Sequence, residues 1–345
     1  MIAATPLSGQ FELEQAAESW QQQLAVAITD PLELCRVLRL DPAAVLPLLD
    51  RSPEFPLRVP RSFVAKMRPE NPKDPLLLQV LPLLVERARV EGFCSDPVGD
   101  LAARASTGVL HKYEGRALLI ATGACAVHCR YCFRRHFPYA AESALQSNWL
   151  PAIGALKSDA TISEVILSGG DPFSLSERRL RQFTDALASV PHIRRIRIHT
   201  RYPVVLPDRV DEGLLNWLSS LPIQKVIVIH ANHAHELDEA AKRACLELKA
   251  AGATVLNQSV LLAGVNDSVE DLVALSEALF QAGVLPYYLH LLDKVDGAAH
   301  FDVDETRALQ LHAALTAKLP GYLVPKLVRE ISGAAAKTAV YPAGL

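Results

Sequence analysis

The sequence has no long apolar run and no excess of basic residues. Its most apolar stretch, residues 75–85, is interrupted by Gln79 and Pro82. That stretch is far shorter than the roughly 20 residues that a membrane-spanning helix needs. The formal net charge is −3, whereas a general nucleic-acid-binding protein carries a basic surface. We therefore expect a protein that binds neither membranes nor nucleic acids.

The sequence also lacks a secretory signal and a disulfide framework. Residues 1–10 contain neither the basic segment nor the apolar segment of a signal peptide. Of the six cysteines, three lie within one short stretch, and Cys35, Cys94 and Cys245 are scattered. This distribution is typical of metal chemistry in a reducing compartment, so it predicts a cytoplasmic protein.

Length and composition indicate a globular protein. The chain has 345 residues, of which 50% are hydrophobic and 21% are charged, enough for one large α/β domain or two ordinary ones. Helical periodicity over residues 11–28, followed by repeated prolines, predicts a mainly helical N-terminal region over residues 1–108. We expect a second domain over residues 109–320 and a C-terminal segment over residues 321–345.

Beyond residue 116, short apolar β-branched runs alternate with amphipathic stretches. The predicted strands are residues 117–122, 164–168, 194–200, 225–230, 254–258 and 285–290. The predicted helices are residues 144–156, 177–189, 212–220, 236–251, 269–282 and 304–318. Six β/α units in series indicate parallel strands with right-handed crossovers.

Polar residues follow every one of these predicted strands, for example Ser168-Gly169-Gly170-Asp171 after the second and His230 after the fourth. A doubly wound sheet concentrates its site at one switch point, whereas a barrel uses all its βα loops. The fold class that we predict is therefore α/β, as a partial (β/α)6 TIM-like barrel.

The cysteine-rich stretch is the strongest chemical signal in the chain. Cys125, Cys129 and Cys132 have the spacing C-x3-C-x2-C, and no fourth cysteine lies near them. A structural zinc site usually has four protein ligands, and ferredoxin clusters are fully ligated by protein. Three thiolates on a four-iron cluster would leave one iron open for a small molecule. Three buried or zinc-bound cysteines remain the alternative.

Two further stretches suggest ligand contacts. Gly169 and Gly170 lie between a predicted strand and a helix, where glycine lets the backbone come close to a ligand or simply makes a tight turn. Lys337 lies among small residues at positions 332–338. A lysine amine can form a Schiff base with an aldehyde cofactor, although a lysine in such a loop is usually only solvated.

The cysteine spacing resembles that of the radical S-adenosylmethionine (SAM) superfamily. Nearly the whole chain is similar to the lysine 2,3-aminomutase family of that superfamily. The shared stretches are residues 55–60, 111–116, 125–135, 168–172, 199–206, 257–267, 293–301 and 333–338. The resemblance implies a [4Fe–4S] cluster, SAM and pyridoxal 5′-phosphate (PLP) as cofactors, and a barrel of the radical SAM type.

The resemblance also implies residue roles. Cys125, Cys129 and Cys132 would bind the cluster, and Lys337 would be the catalytic lysine that carries PLP. The PLP phosphate would contact Tyr113, Arg116 and Lys112. The residues expected to contact SAM are Ser168, Gly169, Gly170, Asp171, His230, Asn257 and Gln258. Arg134 would bind the substrate carboxylate, and Asp293 and Glu330 would bind its distal ammonium group. Arg201 could neutralise a carboxylate or a phosphate.

Two departures from the family pattern bear on the substrate. Glu330 stands where the family normally has an aspartate, and the chain ends eight residues after Lys337. The short form resembles the bacterial branch that makes (R)-β-lysine from L-α-lysine for elongation factor P. That branch implies a lysyl-tRNA-synthetase-like ligase as a functional partner, and a reductant such as flavodoxin or ferredoxin.

Three hypotheses follow. The first is lysine 2,3-aminomutation that serves elongation factor P. The second is the same chemistry producing free β-lysine or acting on another amino acid. The third is a zinc-binding or structural protein without radical chemistry.

Overall fold

One continuous sheet of ten strands forms the centre of the protein, and each strand pairs with the next one along the chain. In the computed structural model, residues 18–142, 144 and 149–341 are described. The strands are β1 (Arg104–Ser106), β2 (Val109–Tyr113), β3 (Arg116–Thr122), β4 (Glu164–Gly169), β5 (Arg195–Thr200), β6 (Gln224–Ile229), β7 (Ala253–Val260), β8 (Leu285–His290), β9 (Lys326–Arg329) and β10 (Thr338–Ala339). Strands β3 to β9 are parallel, and β1, β2 and β10 run antiparallel to their neighbours.

Helices connect the parallel strands from β3 to β9. The longer helices are α6 (Leu150–Ser158), α7 (Glu177–Leu187), α9 (Glu212–Ser220), α10 (Glu239–Ala250), α11 (Val269–Gln281) and α12 (Glu305–Lys318), and the short α8 (Tyr202–Val205) precedes α9. The six predicted β/α units are confirmed. Helix α10 begins later than predicted because Asp238 is its N-cap and accepts from the backbone N–H of Ala241 at 2.9 Å.

Strands β1, β2, β9 and β10 were not predicted. Strand β9 has only four residues and pairs with β8 in parallel register. A run of this length carries too little periodicity to be distinguished from a loop. Hydrogen bonds to a neighbouring strand, rather than local sequence, therefore define it.

The N-terminal region contains short helices. They are α1 (Trp20–Ala25), α2 (Pro31–Val37), α3 (Pro42–Val45), α4 (Arg61–Val64) and α5 (Pro75–Leu78). Helices α2, α3 and α5 each start with an aspartate N-cap followed by proline, which favours initiation and stops extension from the N-terminal side. The predicted helix over residues 11–28 is described only from residue 18 onward, and there it begins at Trp20; residues 11–17 lie outside the described residues.

The N-terminal region packs directly against the sheet domain. Phe63 and Tyr202 are fully buried in one hydrophobic cluster that includes residues of both regions. Ser62 Oγ donates to the carbonyl of Val205 at 2.7 Å, and Lys66 Nζ donates to that of Val204 at 2.8 Å. Among the described residues, no helix has the length and apolarity needed to cross a membrane.

Candidate active site

A cavity of about 300 Å³ lies at the carboxyl ends of strands β3 to β8. Its volume is within the usual range for small-molecule sites. Its walls include the cysteine loop after β3 and residues at the end of each following strand: Ser168, Thr200, His230, Gln258 and His290. A flat sheet cannot bring the ends of its third and eighth strands around one cavity. The sheet is therefore curved, which confirms the partial barrel.

Side chains bridge the gap between β2 and the end of β9. The Tyr113 hydroxyl donates to Glu330, and Lys112 Nζ lies 3.8 Å from the same carboxylate. Nearby, a Cβ atom at Gly99 would lie 2.2 Å from Ser332 Oγ. The loop before β1 thus packs tightly against the segment that carries Lys337, and the two close the open side of the barrel.

The N-terminal region contacts the cysteine loop and fixes its conformation. The backbone N–H of His128 donates to the carbonyl of Arg58 at 2.9 Å, and Arg130 Nη1 donates to that of Phe55 at 2.8 Å. Arg130 and Arg135 both pair with Glu86, at 2.5 and 2.8 Å. Residues 55–60, to which sequence reasoning assigned no chemistry, therefore fix the shape of the loop.

All three cysteines of the loop line the cavity, and none of them forms a disulfide. Burial raises the pKa of Cys125, and it raises the pKa of Cys132 to about 11. Thiols in this environment ionise only when a nearby positive charge compensates for the lost hydration. Arg201 brings a buried cation to this loop, because its Nη1 lies 2.7 Å from Cys129 Sγ.

The two glycines of the β4 loop are required by packing. A Cβ atom at Gly170 would lie 2.5 Å from the carbonyl oxygen of Ala124, and one at Gly169 would lie 2.8 Å from that of Thr122. Gly169 also has a φ of +109°, which other residues rarely adopt. The glycines therefore let the β4 loop approach the start of the cysteine loop, in addition to lining the cavity.

Asp171 and Ser168 line the cavity but already have protein partners. Asp171 accepts from the backbone N–H groups of Phe173 at 3.0 Å and Arg201 at 2.6 Å, and burial raises its pKa to about 6. Ser168 Oγ accepts from Arg134 Nη1 at 3.0 Å. The β4 loop, the β5 loop and the cysteine loop are thus joined by side chains predicted to contact a ligand.

The predicted residues of β6 and β7 differ in position. His230 and Gln258 line the cavity, whereas Asn257 is not among its lining residues. The Asn257 side chain instead accepts from the N–H of Ala231 at 2.9 Å and donates to its carbonyl at 3.1 Å. Asn257 therefore fixes the backbone next to His230, and this placement differs from the ligand contact expected from the sequence.

Lys337, Glu330 and Asp293 lie together at the C-terminal side of the cavity. Lys337 Nζ donates to Glu330 Oε2 at 2.8 Å and lies 5.7 Å from the centroid of the Tyr288 ring. Glu330 also accepts from Tyr113, so this carboxylate has two hydrogen-bond partners besides the nearby Lys112. Burial raises the pKa of Asp293 to about 7, although the charge of Lys337 opposes this shift.

The remaining predicted cofactor residues, Arg116 and Lys112, also line the cavity. The guanidinium carbon of Arg116 lies 5.0 Å from the centroid of the Tyr113 ring. Lys112 Nζ contacts Asp100 Oδ1 at 2.7 Å and donates to the carbonyl of Val98 at 2.7 Å. Lys112 is thus more strongly engaged by protein than the sequence suggested.

The residues present fit the cofactors implied by the resemblance. Several lining residues have a buried atom without a hydrogen-bond partner among the described residues, and these atoms include Arg116 Nε, His199 Nε2, Arg201 Nε, Gln258 Oε1 and His290 Nε2. Buried polar atoms without a partner are costly and commonly meet a ligand or water. Guanidinium, amide and neutral imidazole groups of this kind suit a phosphate and an amino-acid-like cofactor.

The three thiols supply the donor set of a cluster. Within the described ranges, no three histidine, cysteine or acidic side chains are grouped as a site for one metal ion. Three thiols on one cavity wall are the ligand type that holds an iron–sulfur cluster.

No protein-family model matches the chain. Some curated relatives match it over almost their full length. The L-lysine 2,3-aminomutase of Escherichia coli is 48% identical over 323 residues, which cover 93% of this chain and 94% of the relative. The chain belongs to the L-lysine 2,3-aminomutase family. The Haemophilus influenzae member is 44% identical and is matched over 95% of its length.

The family consists of isomerases that use a [4Fe–4S] cluster, SAM and PLP, which agrees with the cofactors expected from the sequence. The L-lysine 2,3-aminomutase of Clostridium subterminale is 33% identical, and 67% of its length is matched. A solved radical SAM methyltransferase from Sphaerobacter thermophilus has a TM-score of 0.43 and 18% identity, covering 66% of this chain and 71% of that chain. This last likeness is too weak to support an argument.

Several residues of the site were missed by sequence reasoning. Those at the cavity wall are Asp100, Arg197, His199, Tyr288 and His290, and those behind it are Gln79, Glu86, Asn232 and Glu236. His199, Tyr288 and His290 lie at the ends of β5 and β8, where the barrel topology predicts polar groups, although the sequence assigned these residues no role. The buried residues behind the wall come from distant segments without a recognisable motif.

Proposed function

We propose that this protein is a radical SAM, PLP-dependent lysine 2,3-aminomutase that converts L-α-lysine to (R)-β-lysine. The observation that carries the proposal is the shared cavity: the three cysteine thiols and Lys337 line the same space of about 300 Å³. Radical transfer between two cofactors needs both of them within reach of one substrate. The cysteine loop follows β3 and Lys337 follows β9, so the curvature of the sheet is what supports their meeting.

The proposed reaction moves the amino group from C2 to C3 of lysine and returns a hydrogen atom from C3 to C2, so that no atoms are gained or lost. When bound, SAM and the cluster would supply the radical that removes the hydrogen, and PLP would stabilise the migrating nitrogen. Cys125, Cys129 and Cys132 would hold the cluster, and Lys337 would hold PLP.

The chain's own side chains would fix the substrate by its two charged ends. Arg134, which is buried beside Ser168, would bind the carboxylate as a fork of N–H donors. Asp293 would bind the distal ammonium, because burial raises the pKa of this carboxyl and a cationic partner would stabilise its ionised form. A charge pair that is shielded from water when the substrate is bound would contribute strongly to substrate choice.

The two acids favour lysine over an acidic substrate. Glutamate would place a second carboxylate against Asp293 and Glu330, whereas lysine places an ammonium there. Arginine or another cationic amino acid is the nearest alternative, and membership of the aminomutase family argues against a zinc-binding protein without radical chemistry. We therefore retain lysine as the proposed substrate.

The experiment is anaerobic reconstitution with iron, sulfide, PLP and SAM under reducing conditions, followed by assay of lysine, arginine and glutamate. We expect a β-isomer of lysine, with (R) configuration by chiral chromatography. Iron and sulfide that fail to bind, or a zinc-loaded protein that gives no isomer, would refute the proposal.

We further propose that the (R)-β-lysine is used to modify elongation factor P through a lysyl-tRNA-synthetase-like ligase, with flavodoxin or ferredoxin as the reductant. The resemblance to the short bacterial branch supports this. Adding the ligase and elongation factor P to the reconstituted enzyme should increase the mass of the factor by one β-lysyl group. Equal modification in enzyme-free samples given only L-α-lysine would contradict the link.

A further inference from the structure

Asp100 is a buried carboxylate on the cavity wall with two cationic partners. Its residue is 1% exposed, its Oδ2 accepts from Arg134 Nε at 2.6 Å, and its Oδ1 lies 2.7 Å from Lys112 Nζ. Desolvation alone would raise the pKa of Asp100, but the charges of Arg134 and Lys112 outweigh it, so the pKa lies below its ordinary value. Asp100 is therefore ionised at neutral pH, before any substrate binds.

The backbone around Asp100 is fixed on both sides. Asp96 accepts from the N–H groups of Asp100 at 2.9 Å and Leu101 at 3.1 Å. Gly99 adopts a φ of +65° and packs against Ser332, in the segment that carries Lys337. The carboxylate of Asp100 thus has a defined position relative to both the cysteine loop and the Lys337 segment.

The contacts of Arg134 show which edge of its guanidinium remains available. Asp100 takes Nε, and Ser168 Oγ accepts from Nη1. No protein contact is recorded at Nη2 among the described residues, and the side chain lies on the cavity wall. Asp100 therefore turns the remaining donors of the guanidinium toward the cavity.

The net charge of Arg134, Lys112 and Asp100 also suits the binding of one carboxylate. Arg134 and Lys112 contribute two positive charges and Asp100 contributes one negative charge. Glu330 also lies 3.8 Å from Lys112 Nζ, but its charge is balanced by Lys337 at 2.8 Å, so the group keeps a net charge of about +1. A substrate carboxylate would neutralise the set. Without Asp100, the two cations would repel each other and Arg134 could rotate away from the productive orientation.

We propose that Asp100 is the positioning residue that orients Arg134 and balances Lys112, so that the cavity selects amino acids by their α-carboxylate. This inference rests on the proposed function. It assigns a role in substrate selection to a loop that precedes the sheet and carries no recognised motif.

The test compares lysine with cadaverine, which has the same two amines but no carboxylate. Dissociation constants are measured by calorimetry on cofactor-loaded wild-type protein and on Asp100→Asn. We expect the dissociation constant of lysine to rise at least about tenfold in the variant, because an oriented charge-assisted contact is lost. Cadaverine should bind the two proteins equally.

Asp50→Asn is the matched control. Asp50 is also a buried aspartate paired with an arginine, since its two oxygens accept from Arg87 at 2.7 and 2.8 Å, but it does not line the cavity. This variant should keep the wild-type ratio of lysine to cadaverine affinity. A general structural effect of losing a buried aspartate would change both variants or both ligands alike.

Iron, sulfide and PLP contents are measured on each protein. If Asp100→Asn loses cofactor, Asp100→Glu is used to test the positioning role instead. This variant keeps the charge and displaces the carboxylate by one methylene, so it should still lose affinity for lysine but not for cadaverine. An unchanged lysine-to-cadaverine ratio in the cofactor-loaded variant overturns the inference alone. Failure of the wild-type protein to bind lysine refutes the proposed function and the inference with it.

Discussion

Arg201 Nη1 lies 2.7 Å from the sulfur of Cys129, and this buried residue is part of the cavity wall. Its Nη2 donates to Glu236 Oε2 at 2.8 Å and to Gln79 Oε1 at 2.6 Å. Asn232 Nδ2 donates to Gln79 and to the hydroxyl of Tyr131. One residue of the cysteine motif is therefore in contact with a buried cation whose charge is balanced by one carboxylate.

The first prediction concerns this buried pair. Arg201→Met would leave Glu236 buried without its cation, so we expect a loss of about 3–5 kcal/mol in the free energy of unfolding. Arg36→Met is the control, because the Arg36–Asp30 pair is exposed and its loss should cost less than about 1 kcal/mol. Urea unfolding of the two apoproteins measures both values. Equal stabilities would show that the buried pair contributes nothing net.

The second prediction separates the motif cysteines from the others. Cys129→Ala should lose bound iron and sulfide and all isomerase activity, because the cluster loses one of its three protein ligands. Cys94→Ala, at an exposed cysteine outside the cavity, should keep both. Iron and sulfide analysis after anaerobic reconstitution is the measurement. Full turnover in Cys129→Ala would contradict the assignment of this ligand.

The third prediction concerns Lys337. Lys337→Ala should lose the visible absorbance of bound PLP, since no amine of that segment would remain in the cavity to bind the aldehyde. Lys326→Ala, on strand β9 of the same C-terminal segment, removes an exposed lysine and should retain the absorbance. The spectra are recorded after desalting. Absorbance that persists in Lys337→Ala would place PLP on another residue.

The fourth prediction is a pH dependence caused by Asp293, whose pKa burial raises from 3.8 to about 7. Between about pH 4 and 7 the folded protein holds a proton that the unfolded chain has released. The contribution of Asp293 to stability therefore falls as the pH rises through this range and levels off above about 7. Thermal unfolding of wild type and Asp293→Asn should show this difference.

Lysine binding should change with pH in the opposite direction, because only the ionised carboxylate attracts the distal ammonium. Affinity should rise by up to about tenfold per pH unit below 7 and then level off. Asp293→Asn should bind lysine weakly and without this step. The same pH profile in both proteins would exclude Asp293 as the group that binds the ammonium.

The fifth prediction tests the packing of the β4 loop. Gly170→Ala would place a Cβ atom 2.5 Å from the carbonyl of Ala124, so the cysteine loop must shift and iron binding should fall. Gly154→Ala is the control, because its Cβ meets nothing within 4 Å in helix α6 and should stabilise the protein by up to about 1 kcal/mol. Iron content and melting temperature distinguish the two.

Much of the barrel could be predicted from local sequence. Apolar β-branched runs alternate with helical periodicity, and parallel topology places the ends of all these strands at one edge of the sheet. For that reason His230 and Gln258, far apart in the chain, could be expected at the same cavity as Cys125. The short strands β9 and β10 could not, because their definition depends on pairing with a neighbour.

The sequence by itself determined the chemical groups and the order of the strands that carry them, because periodicity and residue type are local properties. The tertiary structure alone decided which buried polar and charged side chains contact one another. Asp100 and Arg134 are 34 residues apart, Gln79 and Arg201 are 122 apart, and Tyr113 and Glu330 are 217 apart. Contacts of this kind leave no periodic signal, since each partner reaches the other only after the sheet has curved and the N-terminal region has packed against it.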